Sequence, residues 1–270
     1  MRTVPLQIGN KKLGKIHVFF DVARKSITPK KYISEIVSQI KPQMGYGYAG
    51  FSHKKYLSNN ITNTIFSKDN SKFENFSISE SKVINIIKKA VGLAYKKLPI
   101  DKLDIYVFPQ YNNFIKERMG GTSGTVVWKN TMLVYINPVP NWEKYLIGSV
   151  VHEYNHSVAF KYHTWTTLLD KMVLEGMAEV FLEEVLKKPI LQVGHVLTKS
   201  EAMKYLTNMG SKLKSKKYSD YDQVFYSDKK YPLWSGYSIG YWLVKNFKKN
   251  KKNVKWNEFV QTRPIKFIQK

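Results

Sequence analysis

His152, Glu153 and His156 stand in the stretch Val150-Val151-His152-Glu153-Tyr154-Asn155-His156-Ser157-Val158, which reads as an apolar helix. Residues four apart on a helix lie one turn apart on the same face, so both imidazoles can reach one metal ion. Glu153 lies beside that face, where its carboxylate can take a proton from a water activated by the ion. The same residues without a further ligand are a helix that happens to carry two histidines and a glutamate. The rest of the chain decides between the two.

A catalytic zinc ion takes three protein ligands and keeps a position for water. The segment Leu174-Glu175-Gly176-Met177-Ala178-Glu179 offers the third. Eighteen residues separate His156 from Glu175, room for the rest of one helix, a tight turn near Lys161–Thr164 and an antiparallel helix that brings Glu175 level with the histidines. Gly176 and Ala178 are small where two helices and a metal must approach closely. Glu179, one turn beyond Glu175, is placed to accept the remaining ring N–H of a ligand histidine and orient it. Solvated helix carboxylates are the ordinary alternative, but these two sit within the apolar run Met172 to Leu182. Between 152 and 184 there are six acidic residues and two basic ones, Lys161 and Lys171, in an otherwise basic chain. That local reversal suits a divalent cation.

His152-Glu153-x-x-His156, eighteen residues, then Glu175-Gly176-x-Ala178 resembles the gluzincin metallopeptidases, the group of thermolysin and the aminopeptidase-N type enzymes. The Glu-Gly-Met-Ala-Glu-Val-Phe form, with Gly-Tyr-Ser-Ile-Gly-Tyr-Trp later, is most similar to a bacterial family of predicted zinc-dependent proteases. The resemblance covers roughly 120–245. It implies His152, His156 and Glu175 as zinc ligands and Glu153 as general base. It also implies a zincin-like α+β fold, in which a small mixed sheet precedes the active-site helix and a mostly helical C-terminal lobe.

Peptide hydrolysis also needs a donor for the oxyanion of the tetrahedral intermediate. Tyr237-Ser238-Ile239-Gly240 is similar to the segment where aminopeptidase-N type gluzincins place that tyrosine; Tyr231, Tyr241 and His195 are the rivals. By the same resemblance Gly124, Thr125 and Val126 begin the edge strand that receives an extended peptide by strand addition. The aminopeptidase segment Gly-x-Met-Glu-Asn is absent, and 118–130 holds no acid to bind an amino terminus. An endopeptidase is the expectation.

Across the 270 residues, 43% hydrophobic and 14% aromatic content describe a globular chain with a sizeable core. There is no cysteine, so disulfides are excluded and a zinc site must use His, Asp or Glu. Lys+Arg 44 against Asp+Glu 20 gives +24. This charge is either a solvated lysine surface or an attraction to nucleic acid, an anionic surface or an acidic substrate. Arg, the better residue for bidentate phosphate contacts, is scarce. A zincin-like scaffold acting as a basic binding module is therefore the alternative to a peptidase. The N-terminal stretch has no apolar run long enough for a signal peptide, and no segment is long enough to span a membrane. A cytoplasmic protein is expected.

The elements expected to position the site are two short strands at 4–8 and 15–20 around Gly9-Asn10, then a helix from Thr28-Pro29 to Ile40. Residues 43–77, including Gly45-Tyr46-Gly47-Tyr48, read as an irregular segment. A helix capped by Ser79 reaches Lys97. Strands are expected at 103–108, 125–128 and 131–136, with an irregular piece before Gly120. The motif helix runs from about 141 to 162 and the Glu175 helix from about 165 to 186. Further helices fall near 200–213 and 234–248, with a polar loop at 214–231. With no internal repeat and no clear linker, one continuous unit with two lobes is expected: 1–100, an N-terminal α/β region of unknown role, and 101–270, the zincin-like catalytic domain.

Overall fold

The computed structural model describes residues 1–20, 28–40, 53–66, 77–128, 130–188, 190, 192–251 and 254–268. The chain forms two compact units, Met1–Ser157 and Val158–Lys270. The first is built on a five-stranded sheet and the second is helical, so the class is α+β.

In the first unit the strands β1 (Arg2–Ile8), β2 (Lys11–Val18), β3 (Asp104–Pro109), β4 (Thr122–Trp128) and β5 (Thr131–Ile136) lie in the order β1-β2-β3-β5-β4. β1 and β2 form an antiparallel hairpin, β2–β3 and β3–β5 are parallel, and β4 runs antiparallel to β5 at one edge. β5 is buried along its whole length, as expected of an apolar strand covered on both faces. One face carries Tyr106, Phe108, Leu133 and Tyr135. These join Phe19 and the apolar sides of helix α1 (Pro29–Gln39, capped by Thr28) and helix α2 (His53–Ile65) in one core. The opposite face belongs to Met132 and Val134, with Gly124 directly across from Val134.

Helix α3 (Glu80–Lys97) starts at Ser79, whose hydroxyl accepts from the Lys82 N–H, and buries Val83, Ile84, Ile87, Ala90, Val91 and Ala94. A short helix α4 (Asn113–Arg118), capped by Asn112, occupies the piece expected to be irregular. The segment 43–77 is a second correction. Part of it is α2, held by Leu57, Ile61 and Ile65, which recur every four residues and are fully buried. Its polar Asn and Ser residues fill the intervening positions and mask that period. Gly45 to Tyr48 lie outside the described residues. The motif helix α5 (Trp142–Ala159) completes the unit, its last residues passing the boundary.

In the second unit helix α6 (Leu168–Leu186) is buried on nearly all sides and opens with a capping box between Thr167 and Asp170. Helix α9 (Ser235–Asn250) crosses it in backbone contact. A Cβ on Gly176 would overlap the Gly240 carbonyl, and one on Gly240 would overlap the Met172 carbonyl. Helix α7 (Lys199–Met209) and the turn Gln192–His195 pack on α9. There the Ser238 hydroxyl accepts from Leu197 N–H at 3.1 Å and donates to Gly194 O at 3.0 Å. The expected loop at 214–231 contains a third correction, helix α8 (Tyr218–Phe225), anchored by buried Val224 and Phe225. Helix α10 (Trp256–Phe259) follows, with the Trp256 indole N–H donating to Glu184 at 3.0 Å. Among the described residues no helix is long and apolar enough to cross a membrane.

Candidate metal centre

α5 presents the two histidines on one face, their rings 4.6 Å apart and edge-on. His156 is buried and His152 half-buried, and Glu153 is 7% exposed. Tyr154, two residues from each histidine and so about 200° round the helix, points to the other side. Its buried hydroxyl donates to Leu98 O at 2.7 Å, which locks the rotation of the helix about its axis. Burial pushes that hydroxyl's pKa far above the ordinary tyrosine value, so it remains a donor.

The edge strand β4 runs alongside the same helix. Thr122 and Ser149 share a buried hydroxyl contact at 3.1 Å. Two residues further along the strand and four along the helix, Gly124 meets Glu153. A Cβ on Gly124 would run into Glu153 Cγ and lie 3.2 Å from its Oε1. A strand advances about 6.7 Å in two residues and a helix about 6 Å in four, so the two elements stay in step across this contact. Gly124 and Thr125 are half-buried and Val126 is buried, all on the outer strand of the sheet.

On α6 the residues Lys171, Glu175, Glu179 and Glu183 recur every four positions and form one stripe. Glu179 is buried, with Gly194 of the neighbouring turn against its carboxylate. Glu183 accepts from the Tyr241 hydroxyl at 2.6 Å and from Lys245 at 3.0 Å. Burial raises its pKa, but those two donors outweigh it and the net shift is downward. Burial lowers the pKa of Lys171, while the neighbouring Glu175 carboxylate opposes the shift. The Lys171 ammonium stands 4.2 Å from the centre of the Tyr221 ring.

The candidates for an oxyanion donor separate by surroundings. Tyr237 has its pKa raised well above the ordinary value, first by burial and then by the charge of Glu175. Tyr241 is committed to Glu183, and exposed His195 lies with its ring 4.4 Å from that of Tyr241. Tyr231 is buried against Tyr205 at 5.4 Å. The Tyr237 hydroxyl also lies 3.1 Å from that of Tyr226, itself 3.4 Å from that of Tyr221. Neither neighbour stands out in the sequence, where 214–231 reads as a polar loop. The available signal was Tyr221, Val224 and Phe225 at helical spacing.

His152, His156 and Glu175 each offer one ligand atom, and these atoms all lie within 4.8 Å of one another. Tetrahedral zinc with bonds of about 2.1 Å asks for roughly 3.4 Å between ligand atoms, a spacing that lies inside this bound. Two imidazoles and one carboxylate are also the donor set of a zinc site that keeps a position open. The residues fit zinc.

No curated protein matches the chain. Among solved structures, the M1 zinc metallopeptidase from Deinococcus radiodurans and a single-residue mutant of it are each similar at 9% identity and a TM-score of 0.39. The alignments cover 98% of this chain but 43% and 44% of theirs, so the chain spans less than half the length of those proteins. A family model described as predicted Zn-dependent protease (DUF2268) matches residues 83–269, a span that holds both histidines, Glu153, Glu175, Glu179 and Tyr237. With more than two thirds of its length in that match, the chain belongs to the DUF2268 family of predicted Zn-dependent proteases.

Proposed function

We propose that the chain is a zinc-dependent peptidase of the gluzincin type, with His152, His156 and Glu175 as the zinc ligands and Glu153 as general base. The observation that carries this reading is the convergence of the three ligand atoms within 4.8 Å, with Glu153 next to the histidines on the same helix. Zinc, when bound, supplies a Lewis acid that polarises the scissile carbonyl and lowers the pKa of water. Glu153 takes a proton from the attacking water and passes it to the leaving amine. The contact with Gly124 limits where its side chain can lie. Glu179 accepts a hydrogen bond from a ligand imidazole and holds its ring, and Tyr237 donates to the developing oxyanion.

The substrate is a peptide or protein laid along β4 as an added strand, with Gly124, Thr125 and Val126 contributing main-chain hydrogen bonds. An endopeptidase is favoured, because 118–130 offers no carboxylate for a peptide's amino terminus. The +24 charge supports a second reading, a basic module for nucleic acid or an anionic surface. That reading needs an affinity that falls steeply with salt, and none at low ionic strength removes it.

The test is zinc content together with a peptide-library cleavage screen of wild type against Glu153→Ala. One zinc per chain is expected in both proteins, with hydrolysis reduced at least about a hundredfold in the variant. Folded protein that takes up no zinc would sink the proposal.

A further inference from the structure

Helix α8 and the residue after it bring three tyrosine hydroxyls into a row ending at α9. Tyr221 lies 3.4 Å from Tyr226, and Tyr226 lies 3.1 Å from Tyr237. The rings are packed as well as the hydroxyls: Tyr221 and Tyr226 meet edge-on at 5.7 Å. Phe225 wedges against Tyr237 at 5.2 Å and against Tyr221 at 4.5 Å. The Trp234 N–H donates to Phe225 O at 3.1 Å, which ties the end of α8 to the start of α9. The row is therefore tied to the fold by its rings and by the α8–α9 junction, although its hydroxyl contacts lie at the exposed surface.

We propose that Tyr226 is a positioning residue for catalysis, whose hydroxyl donates to that of Tyr237 and so directs the Tyr237 proton towards the oxyanion. A tyrosine hydroxyl has one proton and two lone pairs. When Tyr226 donates, one lone pair of Tyr237 is used and the proton of Tyr237 must point elsewhere. In the reverse arrangement Tyr237 spends its proton on Tyr226 and cannot serve an oxyanion. Tyr221, at the longer distance, biases the direction by donating to Tyr226 in turn. Hydrogen bonds linked this way also strengthen one another, making the Tyr237 hydroxyl a better donor. Tyr226 is 41% exposed, so water competes for its hydroxyl and the effect is modest. The inference rests on Tyr237 as the oxyanion donor and adds what sets its proton.

The experiment compares Tyr226→Phe, Tyr237→Phe and the double variant in the zinc-loaded enzyme on one peptide found by the cleavage screen. Tyr237→Phe is expected to lower kcat about a hundredfold or more with KM little changed. Tyr226→Phe should lower kcat about fivefold with KM and zinc content unchanged. Tyr226→Phe added to Tyr237→Phe should cost nothing more, because both act through one hydroxyl. A second readout needs no turnover: the ring 13Cζ resonance of Tyr237, assigned by its loss in Tyr237→Phe, should shift in Tyr226→Phe. An active Tyr237→Phe overturns the oxyanion assignment and this inference with it. A deficient Tyr237→Phe beside a wild-type-like Tyr226→Phe, an unmoved resonance, or additive losses overturns this inference alone. Should Tyr226→Phe fold poorly, Tyr221→Phe carries the test, with a smaller shift of the same resonance expected and no shift counting against the row.

Discussion

Gly124 and Glu153 meet where a side chain on the strand would displace the proposed base. The Cβ of Gly124→Ala would strike Cγ of Glu153, an atom near the backbone of α5 that cannot swing away as a chain tip could. The carboxylate must turn, and a misplacement of about 1 Å in a reacting group costs on the order of a hundredfold in rate. Gly124→Ala is expected to keep its zinc and most of its thermal stability while losing hydrolysis on that scale. Retention of activity within a factor of two would show that β4 does not hold the carboxylate. Residue types at the site were legible because metal chemistry admits few of them: two histidines at helical spacing and a carboxylate in an apolar run. Gly124 itself is legible only as the start of a strand, since its contact with Glu153 depends on the space it leaves.

At the scale of elements the same contrast holds. β3, β5, α3, α5 and α6 carry clear apolar patterns, α3 and α6 also have side-chain caps, and each lies close to its expected span. α2 and α8 look like loops in the sequence because Asn, Ser, Tyr and Asp dominate their polar positions, while a few apolar residues seat them. Tyr226 and Tyr221 were lost with α8. The contact between α6 and α9 was half legible: Gly176 reads as a place of close approach, but its partner Gly240 becomes visible only in three dimensions. Because the groups in contact are backbone, Gly176→Ala cannot be absorbed by rotating a side chain. Overpacking of this kind costs about 1–3 kcal/mol, and the melting temperature should fall by several degrees. An unchanged Tm would refute that contact.

The link between Glu183 on α6 and Tyr241 and Lys245 on α9 depends on pH. A carboxyl whose folded pKa is lowered stabilises the fold at pH above its unfolded value, about 4.3, and that contribution is lost as pH falls through the lower folded value. Glu183→Gln should therefore melt below wild type at pH 7, and the gap should close as the pH is taken below about 4. A gap independent of pH would point to packing and not charge.

For the whole molecule, two quantities were legible in different degrees. The first hundred residues read as a region of unknown role, yet β1 and β2, which precede the family match at residue 83, supply two of the five strands of the sheet. Sheet membership depends on pairing with β3, nearly ninety residues away in register, and no local pattern encodes that. Net charge, by contrast, needs no fold to be counted. With 44 basic against 20 acidic residues, the protein sets up a positive potential that draws anionic partners at low salt. For a peptidase this acts on encounter and not on chemistry, so it enters kcat/KM and leaves kcat alone. An acidic peptide should be cleaved with a kcat/KM about tenfold or more above that of a sequence-matched peptide carrying Lys and Arg in place of Asp and Glu, at low ionic strength. The Debye length contracts from about 30 Å at 0.01 M salt to about 3 Å at 1 M, so the preference should fade across that range. Equal kcat/KM for the two peptides at 0.01 M salt would assign the lysines to solubility. A preference that survives at 1 M would place a specific basic contact beside the cleaved bond.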